Sequence, residues 1–237
     1  MILVIAAAIA AAPAPPAPAA QAPPAATCPD VVTSQAFVCR ALQASNSGNS
    51  EAAAQSFEEA AGAQTDETEK ARAWAAAGNM WIAANQPGKA ALALDKALTG
   101  TGLQAEQRGE ALLDRARAAE AQNDLKMARA KVTEAGRTVS DDPFLWYFSA
   151  ALAIRENDAV TAKDSIGKAL ALEPNNPTVL FEAGHVYHFA GDDVAARSYW
   201  SRASAADPSG ASGQAAREAL KMLPAPATTP PPPPPGR

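Results

Sequence analysis

One frame of large and small residues returns five times along this chain with unchanged internal spacing, and that self-similarity constrains the fold more than any other feature. The frame reads Phe37, Ala41, Ala44, Ala53, Phe57, Ala60, then Trp74, Gly78, Trp81, Ala90, Leu94, Ala97. It returns as Leu112, Ala116, Ala119, Ala128, Val132, Ala135, as Trp146, Ala150, Ala153, Ala162, Ile166, Ala169, and as Leu180, Gly184, Tyr187, Ala196, Trp200, Ala203. Within each copy the gaps are 4, 3, 9, 4 and 3, and the copies start at 37, 74, 112, 146 and 180, so the periods are 37, 38, 34 and 34. Gaps of 4 and 3 hold three residues on one stripe of an α-helix, and the gap of 9 lets the chain reverse and begin a second helix. Each copy therefore predicts a helical hairpin. Small residues are needed where two helix backbones approach, and large ones fill the grooves beside them.

The punctuation agrees. Gly48-Asn49, Gln86-Pro87-Gly88, Asn123-Asp124, Asn157-Asp158 and Gly191-Asp192 all fall inside the long gap, where turn and cap residues belong. Asp142-Pro143 and Asn176-Pro177 each offer a side-chain cap followed by a proline, whose missing N–H costs nothing in a first helical turn. Pro174 and Pro208 stand where the second helix of a hairpin must stop. Only 5% of residues are aromatic while Ala recurs at almost every turn, which suits closely packed helices better than a sheet of β-branched residues.

This pattern resembles the tetratricopeptide repeat (TPR), whose signature is Trp-x₂-Leu-Gly-x₂-Tyr, then Ala-x₃-Phe, then Pro at a period of about 34. The last copy, Leu180 to Pro208, matches best, keeping Gly184 with Tyr187, Ala196 with Trp200, and the closing proline. The first and third copies depart from it. There Ala41 and Ala116 stand for Gly, Ala44 and Ala119 for Tyr, and Thr65 and Ser140 for Pro. The resemblance spans Ser34 to Pro208 and implies an all-α solenoid of about five TPR-like hairpins, starting near 34, 71, 109, 143 and 177. A segment over 210–223 carries Ala216, Leu220 and Leu223 on one face and reads as the capping helix that a repeat array needs at its end. The folded domain is thus expected over 34–223.

The flanks read differently. Met1 to Ala12 is an uninterrupted apolar run, too short to span a bilayer but suited to a signal-peptide core, and Ala17-Pro18-Ala19 follows as a cleavage region. Residues 1–20 are read as a signal peptide, 21–33 as a disordered leader and 224–237 as a disordered Pro-rich tail, which places the protein in the periplasm or outside the cell, with no integral membrane span after cleavage. No Lys or Arg precedes Arg40, so the basic segment usual in such signals is missing. In an oxidising compartment Cys28 and Cys39 are candidates for a disulfide, the alternative being two free thiols.

With 20 Lys and Arg against 25 Asp and Glu the formal charge is −5, and no basic cluster stands ready to neutralise a row of phosphates, so nucleic acid is an unsuitable partner. No Gly-rich phosphate loop, nucleophile elbow or calcium loop is present, and neither a catalytic residue nor a cofactor is implied. His185 and His188, three apart, share one side of a helix and are the only start of a metal site, but no recognisable third ligand accompanies them. Asp141-Asp142 and Asp192-Asp193 sit at predicted helix starts, where carboxylates stabilise the positive end of the helix.

If Trp146, Ala150 and Ala153 face the neighbouring helix, Phe144, Tyr147, Ala151 and Ile154 form a separate stripe at about 100° per residue. The TPR resemblance implies that such stripes line a concave wall that takes extended or helical peptides. The equivalent stripe of the last copy is Thr178, Phe181, His185 and His188. The candidate partner-binding residues are therefore Phe144, Tyr147, Ile154, Phe181, His185 and His188, the competing reading being that the three aromatic residues only pack between repeats. The function expected is a non-enzymatic scaffold for another protein or peptide in envelope assembly or coordination, with self-association or metal binding through His185 and His188 as alternatives. N-terminal sequencing of the native protein is expected to find a mature start between Ala20 and Ala25, and an intact Met1 would overturn export.

Overall fold

The computed structural model describes residues 27–224, so the signal-peptide expectation, most of the leader and the tail beyond Pro224 lie outside the described residues. Eleven α-helices and no strand are present among them. Five hairpins follow one another: α1 (Ser34–Asn46) with α2 (Ser50–Gly62), α3 (Glu67–Ala83) with α4 (Pro87–Leu98), α5 (Ala105–Ala121) with α6 (Leu125–Ala135), α7 (Pro143–Arg155) with α8 (Ala159–Leu172), and α9 (Pro177–Phe189) with α10 (Asp193–Ala206). The twelve-residue α11 (Ala211–Met222) closes the array.

The turn inside every hairpin is the same. A residue with positive φ, namely Gly48, Asn85, Asn123, Asn157 or Gly191, ends the first helix. The next N–H then reaches back 2.9 Å to the carbonyl of the third frame residue, which is Ala44, Trp81, Ala119, Ala153 or Tyr187. This satisfies a carbonyl the helix end would otherwise orphan, and only Gly or Asn adopts that conformation cheaply. In the second hairpin this residue is Asn85, one position ahead of the Gln86-Pro87-Gly88 turn expected from the sequence, and Pro87 opens α4.

Entry into the odd-numbered helices is less uniform. Asp142 and Asn176 accept hydrogen bonds from the N–H groups of Phe144 and Thr178, each at 2.8 Å, ahead of Pro143 and Pro177. Helices α3 and α5 start at Glu67 and Ala105, one turn before the starts near 71 and 109 that the frame suggested. Local capping explains the extra turn: Asp66 accepts from the Glu69 N–H, and Gln104 and Gln107 cap each other reciprocally. At the other ends, α8 and α10 stop two residues before Pro174 and Pro208, at cap residues Glu173 and Asp207 whose backbone has left the helical region.

Frame residues form the core. All are buried except Phe37, Ala44, Phe57, Trp74, Trp146 and Tyr187, which are partly exposed. The buried clusters each join neighbouring hairpins: Leu145 and Leu152 of α7 pack with Leu112 and Val132 of the third hairpin, and Val179 and Val186 of α9 pack with Ile166 of α8. Both partly exposed tryptophans carry a lysine on the ring, Lys96 at 3.8 Å from the centre of Trp74 and Lys168 at 4.3 Å from that of Trp146. Helix α11 buries Ala216 and Ala219, and its C-cap Leu223, in the cluster that holds Trp200.

The two ends differ. At the first hairpin the leader is tied to α1 by a disulfide between Cys28 and Cys39 and by a hydrogen bond of 2.8 Å from the Arg40 guanidinium to the Val31 carbonyl. No helix covers the outer face of α1 among the described residues, and Leu42 there is 52% exposed.

Curvature follows from which helices meet. Besides sequential neighbours, α3 touches α5, α7 touches α9, and α9 touches α11, whereas no comparable contact joins even-numbered helices of adjacent hairpins. These odd-numbered helices therefore meet along one side of the array, its inner wall. Close approach is read most directly at Gly184, where an added Cβ would lie 2.2 Å from the ring of the fully buried Trp200. Gly184→Ala is expected to destabilise the fold by about 1–3 kcal/mol despite alanine's higher helix propensity. Gly167→Ala in α8, where an added Cβ meets nothing within 4 Å, should instead stabilise by up to about 1 kcal/mol. Denaturant unfolding of both variants checks the pair.

Candidate functional site

The inner wall holds two open depressions. The first, of 390 Å³, crosses α1, α3 and α5 and is lined by Leu42, Ala75, Asn79, Met80, Gln107 and Asp114 among others. Much of its polar lining is already paired, for Asn79 donates to Asp114 at 2.8 Å, Arg117 bridges Asp114 at 2.9 Å, and Arg72 bridges Glu69 at 2.7 Å. The second, of 550 Å³, lies between α7 and α9 and is lined by Ala151, Ile154, Arg155, Glu182, His185, His188 and Phe189.

This geometry divides the six candidate residues. Ile154, His185 and His188 meet in the second depression. Phe144, Tyr147 and Phe181 do not line it and are partly buried against the core instead. Phe144 stacks on Phe148 at 5.7 Å with Arg117 over its ring, while Tyr147 packs on the cluster shared by α7, α8 and α9. Phe181 meets His185 edge-on at 4.5 Å, and its backbone carbonyl accepts from the Trp200 indole N–H at 3.0 Å. These three rings connect helices as well as facing the wall.

Burial and the neighbouring His188 both lower the affinity of His185 for a proton, and its ring rests against Trp200 at 5.3 Å. His188 is exposed, with Nδ1 2.7 Å from the Asp193 carboxylate. Among the described residues no group of three His, Cys, Asp or Glu side chains is placed to hold a metal. Asp142 and Asp192 both act as caps, Asp192 accepting from the Ala195 N–H at 2.9 Å. No described helix is long and apolar enough to cross a membrane.

Sequence reasoning passed over Glu182. It lines the α7–α9 depression, and among the described residues it has neither a hydrogen-bond nor an ion-pair partner, because Arg155 beside it is held by Glu120 and by Asn123 at 2.8 Å. Burial alone pushes its carboxyl from the ordinary 4.5 up to about 7.

No family model matches this chain, and no curated protein matches it in sequence. Solved structures do match in fold. PilW, described as a widely conserved type IV pilus biogenesis factor, superposes with a TM-score of 0.64 at 18% identity, covering 76% of this chain and 81% of that one. The pilF protein of Pseudomonas aeruginosa gives 0.64 at 15% identity over 80% and 83% of the two chains. YrrB, described as a TPR protein with an unusual peptide-binding site, gives 0.58 at 16% identity over 79% and 91%. The fold is therefore that of a TPR-type helical repeat protein, a solenoid of hairpins.

Glu182 has a measurable consequence. Between about pH 4.5 and 7 the folded state keeps this carboxyl protonated while the unfolded chain has released the proton, so stability falls as pH rises through that window and levels off above it. Glu182→Gln is expected to remove this slope and to stabilise the protein by about 2–3 kcal/mol at alkaline pH, with little effect near pH 4. Denaturant titrations at several pH values measure it, and parallel pH profiles for the two proteins would refute it.

Proposed function

We propose that this protein is a non-enzymatic scaffold that holds a segment of another protein along the inner wall of its repeats, in the cell envelope. The observation that carries this reading is the wall itself. Odd-numbered helices meet there, α3 with α5 and α7 with α9, and leave depressions open, although the same helices bury most of their frame residues. Concave, largely apolar surfaces with a few placed polar groups are where proteins take ligands. The fold shared with YrrB, a structure described by its peptide-binding site, is consistent with such a use. An envelope location draws on the apolar run at Met1 to Ala12 and on the Cys28–Cys39 disulfide, which persists in oxidising compartments.

Self-association is a second reading. It draws on the outer face of α1, where Val38, Leu42 and the disulfide line a further depression that no helix covers among the described residues. Sedimentation of the protein over a concentration series, with Gln43→Arg as the comparison because exposed Gln43 lines this depression and not the one across α1, α3 and α5, separates it from the first reading.

The wall is tested with Ala75→Arg and Ala151→Arg, each of which places a long side chain in one depression without deleting a large core group. Affinity capture from envelope extracts is expected to lose its partner with at least one of them, while the melting temperature moves by no more than about 4 °C, equivalent to about 1 kcal/mol. Capture that survives both variants would place the docking surface elsewhere.

A further inference from the structure

We propose that the depression between α7 and α9 is a receptor for one basic side chain, a lysine or arginine of the bound partner, which pairs with the Glu182 carboxylate. This rests on the scaffold reading above and says what chemistry that scaffold selects.

Three observations carry it. The first is an uncompensated, partly buried acid: Glu182 lines a depression whose apolar lining is Ala151, Ile154 and Phe189, and nothing among the described residues pairs with it. A buried carboxylate without a partner is costly to keep ionised, and the cost is relieved when a cation arrives. The second is the local balance of charge. Among the described residues Arg155 is the only lysine or arginine lining the depression, and its guanidinium is already engaged by the carboxylate and backbone carbonyl of Glu120 and by Asn123. The His188 ring is likewise occupied by Asp193, so the acids Glu120, Glu182 and Asp193 outnumber the bound cation. The third is shape and access. The depression is open, and its apolar floor suits the methylene stem of a lysine or arginine while the charged head meets the acid.

The groups facing Glu182 set its pH response. From α7 these are Tyr147 and Arg155, and on α9 itself they are His185 and His188, with Glu120 and Asp193 standing behind Arg155 and His188. The proton affinity of Tyr147 is raised by burial first and then by Asp142 and Glu182, so it stays neutral at physiological pH. Burial likewise favours neutral His185. The carboxyl of Glu182, pushed up to about 7, therefore governs the charge of the depression, and cation binding strengthens as pH rises through that value.

The test uses the full chain and two small probes, N-acetyl-lysine methylamide and its norleucine counterpart, which has the same stem without the charge. Amide shift mapping by NMR is expected to place the lysine probe at Ala151, Ile154 and Glu182, with affinity about tenfold or more above norleucine at about pH 8. That preference should vanish in Glu182→Gln, and in the wild type it should fall by about tenfold or more at about pH 5.5, where the lysine keeps its charge and the glutamate does not. Equal binding of the two probes, lysine binding unchanged in Glu182→Gln, or shifts confined to other helices would each overturn the proposal. Partner capture separates the two readings. If the wall variants lose the partner but lysine fails to bind, the basic-side-chain receptor is wrong and the scaffold stands; if lysine binds at Glu182 but no partner is captured, the receptor stands and the scaffold does not.

Discussion

Everything in this molecule depends on helix backbones approaching closely enough that only alanine or glycine fits between them. Ala41, Ala116, Ala150 and Gly184 occupy equivalent places on the odd-numbered helices and are buried, and the large residue of the facing even-numbered helix fills the remaining groove: Leu94 lies against Gly78, and Trp200 against Gly184. Dispersion and water exclusion are collected there in many small contacts, each lost if the seam widens. The identical turns follow from this. With the seam fixed, the chain has room to reverse in only one way, through a residue of positive φ and a backward hydrogen bond.

Much of this architecture was legible because a repeat states its rule five times. Gaps of 4, 3, 9, 4 and 3 sufficed to pair the helices, and Asp142-Pro143 or Asn176-Pro177 announced helix starts by chemistry that acts locally. The starts of α3 and α5 were less legible. The frame marks where helices touch, and the extra turns at Glu67 and Ala105 lie beyond the seam, set by Asp66 and the Gln104 and Gln107 pair.

The wall was legible only in outline. A stripe drawn at helical spacing gathers Ile154, His185 and His188, which do meet, but it also gathers Phe144, Tyr147 and Phe181, whose large rings lean sideways onto the adjacent helices. Spacing fixes where a side chain starts and not how far a ring reaches. Glu182 escaped because it falls beside the stripe. A signal was nevertheless there, since it is the one carboxylate in Pro177–Phe189, a helix otherwise built from apolar residues, two histidines, a threonine and a tyrosine.

The unequal ends of the array give it a direction. One end is sealed by α11 over Trp200, while at the other the outer face of α1 is bounded by a short leader stitched on through Cys28 and Cys39. In a structure stabilised by nearest-neighbour contacts, fraying begins where a unit has one neighbour and no seal, and it then propagates inward. Among the described residues the first hairpin is the end with one neighbour and no covering helix, and its tie to the residues before it is the Cys28–Cys39 disulfide. That end adjoins the depression spanning α1, α3 and α5, so fraying there would disturb this part of the inner wall before the part between α7 and α9, which stands nearer the sealed end.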